Sequence, residues 1–195
     1  EGMSVRATEE AVVLARHSGP PQERRVRRRG DQRPEFVERA DRLADMFDTR
    51  VKVEMGQRKG RIVVEFAGEV IVDTRDVVRV LETSHPPVYY LPIDALVPGV
   101  LRRGEGASFC EFKGRAAYFD VTVNGRVAPR VGWTYPEPSR GFEDLAGRVA
   151  LYPAPMDRCT VDGELVTPQP GTFYGGWVTD EVVGPFKGGP GSRGW

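Results

Sequence analysis

Apolar and polar residues alternate with a period of two along most of the chain. Residues 51–55 and 61–66 alternate in this way on either side of the turn-forming residues 56–60, and they predict a β-hairpin. An Asn-Gly dipeptide at 124–125 and an Asp-Gly dipeptide at 162–163 predict two further tight turns. Short strands separated by such turns predict a mainly β fold. Further strands are predicted over residues 70–72, 77–82, 88–91, 117–123, 149–152, 159–161 and 164–166.

The front of the chain has a different pattern. Residues 4–16 predict a short helix, because polar residues at 8–10 are followed by apolar ones. Residues 34–48 predict an amphipathic helix, since apolar residues recur there at helical spacing after a proline suited to the first helical turn. Residues 17–33 combine structure-breaking residues with clustered arginines and predict a linker. We therefore expect a helical front segment attached to a β body.

Length and composition narrow the class of protein. A chain of 195 residues fits one sizeable domain, or one domain with an appendage. It has no long apolar run, and its first residues lack the apolar core of a signal peptide, so we expect no membrane span and a cytoplasmic location. Cys110 and Cys159 fit reduced thiols and are too few for a four-cysteine zinc site. We expect no metal and no cofactor, and the oligomeric state stays open.

Basic residues are concentrated in the front part of the chain, although the whole chain has no net charge. One cluster lies in the predicted linker and another at the tip of the predicted hairpin. Such side chains would contact DNA phosphates without reading bases, and a solvated linker is the alternative. We therefore expect at most weak, non-specific DNA binding. The candidate DNA-binding residues are Arg24, Arg25, Arg27, Arg28, Arg29, Arg58, Lys59 and Arg61.

Aromatic residues alternate with glycine and proline from position 168 to the end of the chain. Disordered segments are poor in aromatic residues, so the pattern favours an ordered aromatic surface or pocket wall. The alternative is the core of a turn-rich barrel. Because Trp and Tyr rings bind planar or cationic ligands, a small molecule is the expected partner. The candidate ligand-binding residues are Tyr89, Trp133, Tyr135, Tyr174 and Trp177.

Four polar residues are candidates for chemistry. Glu82 and His85 lie close together and would handle protons, although a histidine that holds a loop by hydrogen bonds is the alternative. Cys110 lies shortly before Lys113, whose ammonium group would favour a thiolate. These two side chains leave opposite faces of an extended segment and meet only in a turn, and a buried core cysteine is the alternative. The pattern leaves open whether any reaction is catalysed.

The front segment also carries a family resemblance. The residues concerned are Ser4-Val5-Arg6-Ala7-Thr8-Glu9-Glu10, Ala40-Asp41-Arg42-Leu43, Thr49-Arg50-Val51-Lys52-Val53 and Arg58-Lys59-Gly60-Arg61-Ile62-Val63-Val64-Glu65-Phe66. This part of the chain, residues 1–68, resembles the C-terminal region of the actinobacterial ParB chromosome-partition family. The resemblance implies a dimerisation region that also contacts DNA non-specifically. The family's N-terminal domain, most of its helix-turn-helix module and its closing helix are missing, so specific centromere binding is not implied.

The remainder of the chain resembles a second family. The residues concerned are Val70-Ile71-Val72-Asp73-Thr74-Arg75, Val80-Leu81-Glu82-Thr83-Ser84-His85-Pro86-Pro87-Val88-Tyr89-Tyr90, Cys110-Glu111-Phe112-Lys113-Gly114, Trp133-Thr134-Tyr135-Pro136 and the closing aromatic run. They resemble the bacterial domain-of-unknown-function family 427. That resemblance implies a β-tent, in which two antiparallel sheets are set at an angle over a pocket. A nucleotidyltransferase label is sometimes attached to the family, but this sequence has no phosphate loop and no clear metal-binding carboxylate pair.

Together these observations predict a chimera of four segments. They are a helical fragment (1–16), a basic flexible linker (17–33), a ParB-like helix and strand (34–61) and a β-tent domain (62–195). The expected function is binding of a small planar or anionic ligand in an aromatic pocket. The alternative is a DNA-associated accessory or protein-interaction module.

Overall fold

The computed structural model describes residues 5–8, 11–14, 53–189 and 192. Their secondary structure is almost entirely antiparallel β-strand, which confirms the predicted mainly β fold. Two short 3-10 helices, Ile93–Ala95 and Glu143–Leu145, join strands. The strands are β1 (Val5–Thr8), β2 (Ala11–Leu14), β3 (Val53–Arg58), β4 (Ile62–Phe66), β5 (Glu69–Thr74), β6 (Val77–Glu82), β7 (Val88–Pro92), β8 (Leu101–Cys110), β9 (Gly114–Val123), β10 (Arg126–Thr134), β11 (Arg148–Leu151), β12 (Arg158–Val161), β13 (Glu164–Leu165), β14 (Thr167–Pro168) and β15 (Trp177–Val178).

Two sheets make up the β body. The larger has seven strands in the order β3-β6-β7-β11-β10-β9-β8, and the smaller has four in the order β13-β12-β4-β5. β14 and β15 form a two-stranded ribbon, as do β1 and β2. A core of apolar residues from both main sheets lies between them, and Ile62 and Val64 of the small sheet and Leu91 and Leu151 of the large sheet are fully buried there.

The large sheet has two differently occupied faces. Side chains alternate along β6 and β7, and their register places Arg79 opposite Tyr89 and Val78 opposite Tyr90. Tyr89 belongs to the core between the two sheets, so we call its side the inner face. Tyr90 belongs to a second apolar cluster, which also contains Tyr135 and covers the other side, here called the outer face.

The predicted hairpin between residues 51–55 and 61–66 is wrong. β3 pairs with β6 in the large sheet, whereas β4 pairs with β5 and β12 in the small one. Alternation alone predicts a strand but not its partner, and here the intervening turn carries the chain from one sheet to the other. β3 therefore belongs to the β body, which begins before the predicted boundary at residue 62.

The predicted helix over residues 4–16 is also wrong where the structure describes it. β1 and β2 pair there as antiparallel strands, with Val5 opposite Leu14. The β-branched residues of this segment (Val5, Val12 and Val13) favour extended backbone over helix. The predicted linker (17–33) and amphipathic helix (34–48) lie outside the described residues.

Both predicted tight turns are confirmed. Asn124 and Gly125 have φ angles of 50° and 79° and join β9 to β10. Asp162 and Gly163 have φ angles of 52° and 87° and join β12 to β13. Positive φ at both central residues is the signature of the type I′ hairpin. In the part of the chain that the structure describes, no helix is long and apolar enough to cross a membrane.

Candidate functional site

A buried ion pair lies on the outer face of the large sheet. Glu82 ends β6, and Lys113 lies in the turn between β8 and β9. The Lys113 Nζ atom donates a hydrogen bond to Glu82 Oε1 at 2.5 Å, and only 5% of Lys113 is exposed. Burial is the largest single influence and opposes ionisation of both groups, but the partner's charge, the hydrogen bond between them and other nearby groups together outweigh it, so the pKa of Glu82 is lowered and that of Lys113 is raised. The pair therefore stays charged near neutral pH.

Two phenols and an indole lie beside this ion pair. Tyr90 and Tyr135 have ring centroids 6.3 Å apart, and burial raises the pKa of both hydroxyl groups well above the usual range. Lys113 acts electrostatically on Tyr135, which places the ammonium group near that phenol. Trp133 donates a hydrogen bond from Nε1 to the Tyr90 hydroxyl at 3.1 Å. The phenols are thus held neutral and oriented by their neighbours.

His85 follows β6 and is fixed by Gln169. The Gln169 side chain accepts a hydrogen bond from the Gly176 backbone N–H, so its other end is the amide nitrogen. That nitrogen donates to the Lys187 carbonyl and lies 3.1 Å from His85 Nδ1. Nδ1 is therefore an acceptor, and the neutral imidazole carries its proton on Nε2. Burial lowers the pKa of His85, although Glu82 acts in the opposite direction.

A run of aromatic contacts lies beside these groups. The His85 and Tyr174 rings are 4.5 Å apart, and Tyr174 contacts Phe173 at 5.0 Å. Tyr152 donates a hydrogen bond to the Phe173 carbonyl, and its ring lies 4.6 Å from that of Trp133. Trp133 in turn bonds to Tyr90, whose hydroxyl group interacts electrostatically with Glu82. Trp133, Tyr152 and Tyr174 are all partly exposed.

Glycine in the closing run allows this arrangement. A Cβ atom on Gly175 would lie 2.4 Å from the Trp133 ring, so the backbone of residues 174–176 approaches the indole more closely than any other residue permits. The predicted role of the run as an ordered aromatic surface therefore has a physical cause. Its glycines let the chain lie against the rings.

All four residues predicted to carry chemistry lie in one neighbourhood. Cys110 ends β8, on the other side of a tight turn from Gly114, and it acts electrostatically on Lys113. Residues 111–113 form a turn. A turn is the geometry that the sequence analysis expects if Cys110 and Lys113 are to lie near each other. Glu82 in turn acts on both Lys113 and His85. The second thiol, Cys159, is buried in the core, and burial raises its pKa to about 12.

Two predicted ligand-binding residues lie elsewhere. Tyr89 and Trp177 have 0% exposure and stack edge to face, 5.4 Å apart, in the core at the inner face. Trp177 also donates a hydrogen bond to the Leu151 carbonyl. Tyr89 and Trp177 thus pack in the core, which is the alternative that the sequence analysis leaves open for the aromatic residues. By contrast, sequence reasoning did not select Tyr90, Tyr152 or Gln169, because register and loop packing bring them to the site.

The predicted DNA-binding residues have mixed placements. Arg58 is 5% exposed and pairs with Asp162 and Glu181, at 2.9 and 2.7 Å. Arg61 pairs with Asp73 at the surface, and Lys59 is exposed. Lys59 and Arg61 are thus at the surface, whereas Arg58 is buried. Arg24, Arg25, Arg27, Arg28 and Arg29 lie outside the described residues.

The described residues hold no group of three His, Cys, Asp or Glu side chains placed to bind a metal ion. The groups that the structure does bring together here are an ion pair, a neutral imidazole with its proton on Nε2, neutral phenols and partly exposed rings.

Comparison with known proteins relates the chain to a curated relative and to a protein family. A probable chromosome-partitioning protein ParB of Mycobacterium leprae (strain TN) is 46% identical over 89 residues. That alignment covers 43% of this chain and 26% of the relative, so the chain spans about a quarter of the relative's length. Residues 54–162 match the family described as a domain of unknown function, DUF427. The ParB alignment of 89 residues is longer than the part of the chain before residue 54 and the part after residue 162. It therefore overlaps the family match. Because the family match covers more than half of its length, the chain belongs to the DUF427 family.

Proposed function

We propose that the β body binds a small, planar, anionic ligand on the outer face of the large sheet. The observation that carries this proposal is the run of contacts from His85 through Tyr174 and Trp133 to Tyr90, whose hydroxyl group interacts electrostatically with Glu82 of the ion pair. Buried groups with shifted pKa values, gathered beside partly exposed aromatic rings, are typical of binding sites. In this proposal Tyr89 and Trp177 support the sheet from its inner face.

The charges around Glu82 favour an anion. Its carboxylate interacts with the ammonium groups of Lys113 and Lys187 and with His85. Positive charge is thus in excess, and Lys187 is partly exposed. A ligand carboxylate or phosphate would bind Lys187, the His85 Nε2–H group would donate to it, and the rings of Trp133 and Tyr174 would contact its planar part.

The two main sheets enclose one core, which supports the finer proposal that they form a β-tent. The inner face is then the packed interior of the tent. The ligand would bind on the opposite side of the large sheet, where the outer apolar cluster meets the aromatic run.

Thermal shift and NMR titration with benzoate and adenosine monophosphate, with adenosine as the neutral comparison, test the proposal. We expect both anions, but not adenosine, to shift the signals of His85 and Tyr174. Lys187→Ala should weaken anion binding about tenfold, in keeping with the loss of one charge-assisted hydrogen bond. Lys59→Ala removes a distant exposed lysine and should leave binding unchanged. Equal effects of the two lysine variants, or no response to either anion, would contradict the proposal.

A second candidate function is weak, non-specific DNA binding by the front of the chain. The similarity to a probable chromosome-partitioning protein favours it, and the basic cluster at residues 24–29 would supply phosphate contacts. Affinity for a random-sequence duplex should then fall steeply with salt concentration. Replacing the five arginines of this cluster by glutamine should reduce both the affinity and the salt slope. If residues 51–195 bind DNA as well as the whole chain does, the front segment is not the DNA-binding part.

A further inference from the structure

Two buried arginines lie side by side on the inner face, away from the site proposed above. β3 and β6 are paired so that Gly56 lies opposite Arg79, which places Arg58 and Arg79 on the same side of the sheet. They are 5% and 4% exposed. Both pair with one carboxylate: Glu181 accepts from Arg58 Nη2 at 2.7 Å and from Arg79 Nη1 at 3.4 Å. Two buried guanidinium groups therefore share Glu181, and Asp162 contacts Arg58 from the surface.

One donor of this arginine pair has no partner in the described part of the chain. Arg58 Nε is buried and makes no hydrogen bond with the described residues. Tyr89 lies beside both guanidinium groups, with Arg58 Cζ 5.8 Å from its ring centroid. Since buried polar groups are nearly always paired, the free Nε–H group of Arg58 indicates a place suited to an acceptor.

The segment that carries Glu181 lies against the β body without being part of a sheet. It follows β15, and residues 179–189 contain no strand. Val182 and Phe186 pack with Leu81 in a small apolar cluster of their own. The Lys187 N–H donates to the Ser84 carbonyl. The side chain of Glu181 is 29% exposed, so water reaches a carboxylate that pairs with both arginines.

We propose that Arg58, Arg79 and Tyr89 form a binding site for a small oxyanion, and that Glu181 occupies this site as an internal ligand. The carboxylate of Glu181 has the shape and charge of the proposed ligand, a carboxylate or phosphate group that offers two oxygens to two guanidinium forks. An external oxyanion would bind by displacing Glu181, and the segment of residues 179–189 would move with it. The arginines lie on the inner face and the first proposed site on the outer face, but Lys187 of that first site belongs to the segment that would move.

Removal of the internal ligand tests this proposal. We expect Glu181→Ala to bind inorganic phosphate at least tenfold more tightly than the unchanged chain does, as measured by isothermal titration calorimetry. Acetate serves as the second probe, and the tighter of the two anions identifies the ligand class. Glu65→Ala is the matched control, because it removes a carboxylate from an exposed ion pair with Arg158 and should bind neither anion more tightly.

A second variant covers the case in which Glu181→Ala does not fold. Glu181→Gln keeps the shape of the side chain and removes its charge. Phosphate or acetate should raise its melting temperature by several degrees more than that of the unchanged chain, and Arg79→Gln in the same background should abolish the difference. The proposal is overturned if neither Glu181 variant responds to either anion more than Glu65→Ala does.

Discussion

A buried lysine needs a counter-charge close to its ammonium group. Lys113 is almost fully enclosed, and its ammonium group is stabilised by Glu82. Removing one member of such a pair leaves an uncompensated charge, whereas replacing both by apolar groups of similar size is often tolerated. The residue-level contribution of Glu82 is therefore to make burial of Lys113 possible.

Glu82→Gln should lower the free energy of unfolding by about 3 kcal/mol, because it leaves the buried ammonium group without its counter-charge. The double variant Glu82→Gln/Lys113→Met should recover most of that loss. Urea denaturation measures both values. Glu65→Gln breaks an exposed pair and should cost less than about 1 kcal/mol. A double variant no more stable than Glu82→Gln alone would contradict this account of the pair.

His85 should make stability depend on pH. Burial lowers its pKa in the folded state, while the unfolded chain retains a value near 6.5. Between these two values the unfolded state binds more protons than the folded state. The contribution of His85 to the free energy of unfolding is therefore complete above about pH 6.5 and is lost as the pH falls toward the folded pKa. The free energy of unfolding of His85→Gln, measured by denaturation over this pH range, should lack the pH dependence that His85 causes. The other histidine provides the control: His17→Gln should keep it.

At the level of elements, apolar segments bounded by turn residues predicted strands well. They predict β6 and β7, which are buried on both faces, and the two Asn-Gly and Asp-Gly dipeptides predict both tight turns. β8 was missed, because it lies at the sheet edge with most of its residues at least partly exposed and thus carries no apolar pattern. The pattern did not predict which strands pair with each other, as β3 shows by pairing with β6 and not with β4.

The closing run gives a prediction for an element. Gly175→Ala would place a methyl group against the Trp133 ring, so residues 174–176 must move away from the indole. We expect a loss of about 1–3 kcal/mol, blue- or red-shifted tryptophan fluorescence and faster amide exchange in residues 173–177. Gly56→Ala is the control, since no atom lies within 4 Å of the added methyl group. Equal losses in the two variants would show that contact with Trp133 is not the cause.

For the whole molecule, the sequence pattern predicted which residues lie near one another better than the faces that they occupy. Glu82, His85, Cys110 and Lys113, which the sequence proposes for chemistry, do lie in one neighbourhood. Tyr89 was chosen where its neighbour Tyr90 contacts the site instead. Adjacent residues of a strand lie on opposite faces, and only the position of the second sheet decides which face becomes the interior.

Strand pairing in the large sheet predicts where the independently stable body begins. Among the described strands, β1 and β2 pair only with each other, whereas β3 supplies the edge of the large sheet, with Met55 and Arg58 buried. A chain that begins at residue 51 should therefore keep the melting temperature of the whole. One that begins at residue 61 loses β3, exposes the edge of β6 and leaves Glu181 without Arg58, and it should melt on the order of 10 °C lower. Differential scanning calorimetry distinguishes the two. If the shorter chain melts with the longer one, β3 adds nothing to stability and the body begins at β4.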